Sequence, residues 1–414
     1  MFNLAFQTKK LKNGALVILI QKPDYVQSLF MCGFGVGGFN IKERSENMVY
    51  ENKGGCAHYL EHQMFRYQGE DVTDLFAKMQ AQTNAFTSYS ETAYYFYTTS
   101  EIEKPLQLLL DFVQNLDINA ESVEKERGII ASEFAMYEQN PEMRLIKELL
   151  VSMYKNHPLK VDILGSLDDI ESIQLEDLAS FYRRNYDPKN MVIVGVTGKN
   201  LDEVLKEIER IEEKYPSKIG ERAVCIFPDE PKEVARSKYS LEMDVVQPYV
   251  GIAFKLEPKE NIIDCLLYDL AFSIWLDAIF GPSNPKYQTW IDEKIITQIC
   301  GAEVDFSQDH AYLMFYAQTE KIEEFKKLVD SLVQNREKID PIVFESLKHQ
   351  SQARNIRLLD RFEGLAVEML RAYINRYDFL ESLQLIDSLD TDKAFEILSS
   401  VDFSQKAEVT ILPS

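Results

Sequence analysis

The chain has 414 residues, which suggests two or three domains of ordinary size. Apolar residues make up 45% and charged residues 27%, as in globular proteins with a hydrophobic core, so large-scale disorder is excluded. The net charge of −22 repels nucleic acid and anionic membranes, and we expect neither as a partner. An acidic cavity could attract basic peptides, although the charge could equally serve solubility alone.

The cysteines predict a reducing compartment. They are odd in number and scattered without CxxC spacing, which argues against both a disulfide framework and a cysteine–zinc site. These residues are Cys32, Cys56, Cys225, Cys265 and Cys300. The N-terminus shows no signal peptide, and no apolar run reaches the roughly 18 residues of a membrane span. We therefore expect a cytoplasmic protein without a membrane span.

Short strands and helices alternate in the first part of the chain. It opens with a predicted hairpin, in which Asn13-Gly14 is a turn signal between Lys9–Lys12 and Ala15–Ile20. The next predicted elements are strand Ser28–Val36, helices Cys56–Tyr67 and Asp71–Gln80, strands Gln82–Tyr89 and Thr92–Thr99, and helices at about 104–115 and 121–138.

The same order of elements occurs twice. Helix Leu175–Tyr186 leads into strand Met191–Val196, and at the end of the chain a second helix leads into strand Ala407–Leu412. The segment Thr92–Glu101 also resembles His310–Glu320. We predict an internal duplication of about 200 residues per copy.

The duplication defines the predicted domains. They are residues 1–215, a linker at 216–236 that is charged and contains several prolines, and residues 237–414. Few parallel units are predicted, so the fold class is α+β. We expect two homologous halves, each a mostly antiparallel β-sheet covered on one face by helices.

A metal site is predicted in the first half, in the segment Gly54-Gly55-Cys-Ala-His-Tyr-Leu-Glu-His. His58 and His62 are four residues apart, which on a helix places both imidazoles on one face, about 5–6 Å apart at Cβ. One zinc ion can bridge such a pair. Glu61 can flank the ion as a general base without being a ligand. The two glycines let the helix begin close to neighbouring backbone.

A catalytic zinc site needs a third protein ligand. Glu126 and Glu133 are seven residues apart on a predicted helix and share one face, with Ile129 and Ile130 between them. One carboxylate could bind the metal while the other orients a ligand histidine. Spacing alone leaves a second possibility, in which both belong to a solvated acidic face.

The motif HxxEH is the reverse of the common zincin motif and marks the inverzincins. With GCAHYLEHQMF, NAFTSYSETAYYF and EKERGIIASEFAMYEQNPEMRL, the chain resembles the pitrilysin/insulinase family of zinc metalloproteases, and in particular its short bacterial branch of processing peptidases. The resemblance implies a metalloendopeptidase with one Zn²⁺ per chain. It implies that His58, His62 and Glu133 bind the metal, that Glu61 is the base, and that Glu126 supports catalysis.

The resemblance also implies how substrate and partner bind. Asn84, Ala85 and Phe86 match a family strand that lines a cleft between the two halves and holds a peptide substrate as an added β-strand. In complete enzymes of the family, an Arg and a Tyr in the later half contact the substrate. Trp290 and Thr297 stand at those positions here. We therefore expect a zinc-less paralogous subunit that supplies the Arg/Tyr pair, with a homodimer as the competing arrangement.

The second half is expected to be a degenerate copy without a metal motif, in which His310 and His349 are isolated. Trp290 is expected in the core rather than at a substrate site. The leading functional hypothesis is peptide cleavage, possible roles being leader or pheromone processing. The alternatives are a non-catalytic scaffold subunit and a module that binds peptides without cutting them.

Overall fold

The computed structural model describes residues 4–336 and 338–414. The first residues of the segment in which no signal peptide is expected therefore lie outside the described residues. The strands, in chain order, are β1 Phe6–Lys10, β2 Leu16–Gln21, β3 Ser28–Phe34, β4 Lys42–Ser45, β5 Met48–Glu51, β6 Arg66–Tyr67, β7 Glu70–Asp71, β8 Ala81–Thr87, β9 Thr92–Thr98, β10 Met191–Thr197, β11 Val224–Cys225, β12 Lys238–Met243, β13 Tyr249–Lys255, β14 Cys300–Phe306, β15 Ala311–Gln318 and β16 Lys406–Pro413.

In the sequence, most α-helices lie between the strands. They are α1 Cys56–Gln63, α2 Val72–Lys78, α3 Glu103–Val113, α4 Ala120–Gln139, α5 Pro141–Met153, α6 Leu167–Ser172, α7 Leu175–Asn185, α8 Leu201–Glu212, α9 Ile262–Ile279, α10 Tyr287–Asp292, α11 Ile322–Gln334, α12 Pro341–Asp360, α13 Phe362–Ile374, α14 Phe379–Gln384 and α15 Thr391–Ser399. Within the described ranges, every helix is too short or too polar to cross a bilayer.

The first of two compact units contains the described residues up to 134, together with 161–226 and 357–376. Its six-stranded sheet has the order β1-β2-β10-β3-β9-β8, in which only β2 and β10 run parallel. The central strands β3 and β10 are buried along their whole length, because both faces of the sheet are covered there. The edge strand β8 is mostly accessible, which leaves its outer side available for pairing.

The second unit contains the described residues of the ranges 135–160, 227–356 and 377–414. Its five-stranded sheet has the order β12-β16-β13-β15-β14, and only β12 and β16 run parallel. This order reproduces β2-β10-β3-β9-β8 of the first sheet, including the position of the parallel pair. The α+β class with two homologous halves is therefore confirmed, and β9 and β15, whose sequences resemble each other, hold equivalent positions.

Each sheet carries one helix that comes from the other half of the sequence. Gly33 of β3 faces α13, since a Cβ atom there would lie 2.3 Å from Leu370. Gly251 of β13 faces α5 in the same way, with Leu149 at 2.6 Å. The neighbouring residues of both strands, such as Phe30 and Ile252, belong to the main helix-covered cores. Helices therefore lie on both faces of each sheet, whereas the sequence predicted one covered face. Each compact unit combines three separate segments of the sequence, and the domains 1–215 and 237–414 with a linker at 216–236 stay a prediction.

The zinc-motif helix is shorter than predicted. Helix α1 ends at Gln63, and a hairpin of β6 and β7 follows it. The turn of this hairpin contains Gln68 and Gly69, with φ of 52° and 81°. Two successive residues at positive φ form the kind of tight turn that joins antiparallel strands, which explains why the helix cannot continue to Tyr67.

Candidate metal centre

Helix α1 begins at a turn that requires glycine. Gly55 has a φ of 80°, and a Cβ atom there would lie 2.1 Å from the carbonyl oxygen of Leu164. A Cβ atom on Gly54 would lie 3.2 Å from the Cα of Gly165. The predicted close approach of backbone at Gly54-Gly55 is confirmed, and it sets where the helix carrying the histidines begins.

Helices α1 and α4 are joined by hydrogen bonds beside the histidines. The Tyr59 hydroxyl donates to the Val123 carbonyl at 2.5 Å. The Gln63 side chain donates to the Ser122 carbonyl at 3.1 Å, and the Ser122 hydroxyl donates back to the Gln63 amide oxygen at 2.9 Å. These contacts alternate with the histidines along α1, so they set how α4 presents its glutamates.

Three donor atoms converge between these helices. The Glu133 Oε2 atom lies 3.4 Å from His62 Nε2 and 3.8 Å from His58 Nε2, and all three atoms lie within 4.8 Å of one another. Zinc bonds of about 2.0–2.1 Å in a tetrahedron require ligand atoms about 3.3 Å apart. The donor set and its spacing therefore fit zinc, and the residues that would hold it are His58, His62 and Glu133.

Glu126 contacts the other nitrogen of one of these histidines. Its Oε1 atom lies 2.9 Å from Nδ1 of His62. A carboxylate at Nδ1 keeps a proton there and leaves the Nε2 lone pair for a metal. The two carboxylates therefore do not form a solvated face: Glu133 faces both Nε2 atoms, and Glu126 contacts Nδ1 of His62. Ile130 is fully buried between them, whereas Ile129 is 48% exposed.

The two histidines differ in their proton affinity. Burial and the neighbouring His62 lower the pKa of His58 to about 4, against the opposite effect of Glu133. Burial also acts to lower the pKa of His62, but its hydrogen bonds to Glu126 and Glu133 and the charge of Glu61 outweigh this and raise it to about 9. The acidic groups around His62 thus favour a proton on its ring, and a metal cation bound here would displace that proton.

Glu61 is buried beside the donor atoms. Burial raises the pKa of its carboxyl group, while a hydrogen bond from Thr87 and the charge of His62 lower it. The Thr87 hydroxyl donates to Glu61 Oε2 at 2.8 Å. Sequence reasoning did not find Thr87, because nothing in the spacing of residues 61 and 87 indicates that they meet.

A cavity of about 650 Å³ adjoins these residues. Its lining includes Glu61, His62, Glu126 and Asn84, so one of the predicted substrate residues opens onto it. Asn84 is exposed on the edge strand β8, followed by the half-buried Ala85 and Phe86. The Asn84 side-chain oxygen accepts a hydrogen bond from the Ala85 backbone at 2.9 Å.

The second unit contains another cluster of possible ligands, His157, Asp309 and His310. The expectation that His310 is isolated is therefore wrong, because the β14–β15 turn brings it 5.2 Å from the His157 ring. Asp309 Oδ1 lies 2.5 Å from His310 Nδ1 and 3.7 Å from His157 Nε2. Asp305 Oδ2 lies 3.2 Å from His310 Nε2.

In this cluster a proton occupies the His157 nitrogen that a metal would need. His157 Nδ1 accepts a hydrogen bond from the Leu159 backbone N–H at 3.1 Å, so in the neutral ring the proton is on Nε2, which faces Asp309. Both nitrogens of His310 face carboxylates. Burial acts to lower the pKa of His310, but hydrogen bonds to Asp305 and Asp309 raise it to about 9. The cluster is a hydrogen-bonded ion group in which both histidines are buried and both aspartates are partly exposed.

The positions expected for an Arg/Tyr pair hold structural residues. Trp290 of α10 is 7% exposed, and its ring stacks on Phe280 with centroids 6.3 Å apart. This confirms that Trp290 belongs to the core. The Thr297 hydroxyl accepts a hydrogen bond from the Ile299 backbone at 3.2 Å. Neither residue offers the charge of a guanidinium group.

Comparison with known proteins supports the same family. A family model described as insulinase, peptidase family M16, matches residues 47–166, and one described as the M16 inactive domain matches 172–341. An uncharacterized zinc protease of Bacillus subtilis, YmfH, is 29% identical over 307 residues, covering 73% of this chain and 71% of that protein. The beta subunit of a mitochondrial-processing peptidase from Neurospora crassa is 27% identical, covering 61% and 52%.

Solved structures give the same result. The crystal structure of an M16-like peptidase from Alicyclobacillus acidocaldarius matches with a TM-score of 0.93 and 29% identity, covering 100% of this chain and 99% of that chain. A protease from Helicobacter pylori shares the fold, with a TM-score of 0.84 at 20% identity. The range matched by the first family model, residues 47–166, includes His58, Glu61, His62 and Glu133. The chain belongs to the M16, or insulinase, family of peptidases.

Proposed function

We propose that this protein is a zinc-dependent endopeptidase that cuts short or unfolded peptides. The observation that carries the proposal is the convergence of His58, His62 and Glu133 within 4.8 Å, with the buried carboxylate of Glu61 on the same helix turn. A scaffold has no need to retain this whole set. The names of related proteins as zinc proteases support the same reaction class.

Each residue then has one task. Zinc bound by His58, His62 and Glu133 would supply Lewis acidity that favours water ionisation near neutral pH. Glu61 takes the proton from the attacking water and transfers it to the leaving amine. Glu126 keeps the Nδ1 proton of His62 and so holds that ring in the orientation that a ligand needs.

The substrate is held by strand addition in this proposal. Strand β8 is an edge of its sheet, and its residue Asn84 lines the cavity next to Glu61. Pairing along an edge strand uses backbone hydrogen bonds, so it selects extended peptides with little demand on sequence. Asn84, Ala85 and Phe86 are the residues proposed to contact the peptide. Leader or pheromone peptides are the proposed physiological class.

The proposed reaction is tested with Glu61→Gln. The zinc-loaded variant should retain its metal, while cleavage of an unfolded reporter peptide falls by about 10²–10⁴-fold, since it lacks the base. Glu176→Gln, on the exposed face of α7, is the matched control and should cleave like the wild type. Wild-type levels of turnover in Glu61→Gln refute the role of the base. A zinc-loaded wild type that binds the peptide without cutting it favours a binding module or scaffold.

We further propose that the chain is the zinc-bearing subunit of a two-subunit enzyme located in the cytoplasm. Trp290 and Thr297 stand where the resemblance leads us to expect an Arg/Tyr pair, and one relative is named as the beta subunit of a peptidase. Peptide cleavage should increase when a zinc-less paralogue that has the pair is added. Full activity of the lone monomer contradicts the proposal, and full activity of a pure dimer favours the homodimer. Cell fractionation tests the location.

A further inference from the structure

Thr87 lies at the end of strand β8, directly opposite Thr92 of β9. Its hydroxyl group donates to Oε2 of Glu61 at 2.8 Å. Thr87 and Glu61 are 26 positions apart, and their hydrogen bond joins the edge strand β8 to helix α1, which carries the histidines. Among the described residues, this is the one side-chain hydrogen bond that Glu61 makes.

The neighbouring threonine leaves the Thr87 proton directed at Glu61. Thr92 is fully buried, and its hydroxyl donates to the Val36 carbonyl at 2.8 Å. Its oxygen lies 3.4 Å from the Thr87 oxygen, too long for a strong hydrogen bond. Both side chains are β-branched and stand on a paired hairpin, so their rotamers are restricted. The Thr87 hydroxyl is thus held as a donor to Glu61.

A glutamate that acts as a base needs a contact that holds its carboxylate in one position. The α1 backbone fixes the Cα of Glu61, but three side-chain torsions still separate Cα from the carboxylate. A hydrogen bond to one carboxylate oxygen removes most of that freedom and leaves the other oxygen to receive a proton. A shift of about 1 Å in a reacting group can reduce turnover by about a hundredfold.

We propose that Thr87 is a positioning residue, which holds Oε2 of Glu61 so that Oε1 is the oxygen that takes the proton from the attacking water. The inference rests on the proposed peptidase function. Thr87 itself makes no bond to substrate in this scheme. Its effect should therefore appear in kcat and in the position of the Glu61 carboxylate, with KM and zinc content unchanged.

The test compares three substitutions in one hairpin. Thr87→Val removes the hydroxyl but keeps the shape, and Thr87→Ser restores a hydroxyl. Thr98→Val is the matched control, because the Thr98 hydroxyl donates to the neutral Gln80 carbonyl at 2.9 Å at the opposite end of the hairpin. Each zinc-loaded protein is assayed for kcat, KM, zinc content and melting temperature, and its crystal structure is determined.

Thr87→Val should lower kcat by about tenfold to a hundredfold at unchanged KM and zinc content. In the crystal structure of Thr87→Val, the Glu61 carboxylate should leave its observed position. Thr87→Ser should have the kcat of the wild type and an unmoved carboxylate. Thr98→Val should also have the kcat of the wild type. A Thr87→Val protein with full activity and an unmoved carboxylate overturns this inference but not the proposed function. Loss of zinc from Thr87→Val, or a low kcat in Thr87→Ser, has the same consequence. A zinc-loaded wild type without peptidase activity overturns the proposed function and this inference with it.

Discussion

The described part of the chain contains two clusters built from two histidines and one carboxylate, one in each compact unit. In the first unit, the Nε2 atoms of His58 and His62 both face Oε2 of Glu133. In the second unit, Nε2 of His157 and Nδ1 of His310 both face Oδ1 of Asp309. The residue types match, and the donor atoms of both clusters fall within 4.8 Å of one another.

What separates the clusters is the partner of the remaining ring nitrogen. In the first cluster, the carboxylate of Glu126 lies at Nδ1 of His62 and leaves the Nε2 lone pair for a metal. In the second, a backbone N–H donates to Nδ1 of His157, so its Nε2 carries a proton. A neutral imidazole has one lone pair and one N–H, and its environment decides which atom has which. Residue types alone therefore do not identify a metal site, because the contacts at Nδ1 of His62 and of His157 decide which nitrogen has a free lone pair.

The largest expected difference between the clusters is zinc binding itself. His58→Ala should lose stoichiometric zinc and reduce peptide cleavage to background, because one of three ligands is gone. His310→Gln should retain the zinc content of the wild type. Metal analysis after dialysis against a weak chelator measures both. Loss of zinc from His310→Gln, with its fold intact by circular dichroism, would contradict the assignment of the second cluster.

The second cluster should matter for stability instead. His310 is 5% exposed and contacts two carboxylates, so His310→Gln leaves their charge without its cation. We expect the free energy of unfolding to fall by about 2–4 kcal/mol. This range already allows for solvent screening, because Asp305 and Asp309 are partly exposed. His349→Gln, on the exposed surface of α12, is the control and should unfold like the wild type. Urea denaturation measures both, and equal midpoints would contradict the ion group.

The pH dependence of stability should separate the same two proteins. Because the pKa of His310 is raised from 6.5 to about 9 in the folded state, its contribution is complete below pH 6.5 and is lost as pH rises through 9. This difference corresponds to about 3 kcal/mol. Both proteins should carry Asp269→Asn, which removes a neighbouring carboxyl group whose pKa burial raises to about 8.

Free energies of unfolding measured from pH 6 to pH 10 then test whether His310 stabilises the protein more at low pH than at high pH. The protein with His310 should lose more stability over this range than the protein with His310→Gln. Parallel profiles would show that His310 is not held as a cation. The subtraction also removes the titration of the lysines and cysteines that both proteins share.

The smallest expected effect concerns the contact that distinguishes the first cluster. Glu126→Gln keeps the shape but removes the charge at Nδ1 of His62, and zinc affinity should fall by about 10–100-fold. Competition with a chromophoric chelator measures this change. Glu124→Gln, an exposed neighbour on α4 that pairs with Arg127, should bind zinc like the wild type. Equal affinities for the two variants would contradict the orienting role of Glu126.

Local spacing alone determined a large part of this protein. An i, i+4 pair on a helix shares one face in any fold, so His58, His62 and the adjacent Glu61 could be recognised without a structure. The repeated order of strands and helices predicted two related sheets for the same reason, since burial patterns of strands and helices are short-range. The opening hairpin of β1 and β2 is confirmed too.

Tertiary structure decided every contact between distant segments. Whether Glu126 or Glu133 faces both Nε2 atoms depends on how α4 packs on α1, and helical spacing is identical for either choice. Thr87 meets Glu61, and His157 meets His310, only because folding brings together residues that are 26 and 153 positions apart in the sequence. The exchange of α5 and α13 between the sheets has the same origin. Periodicity tells which face of a segment is buried, but the partner that covers it is selected by shape and charge across the whole unit.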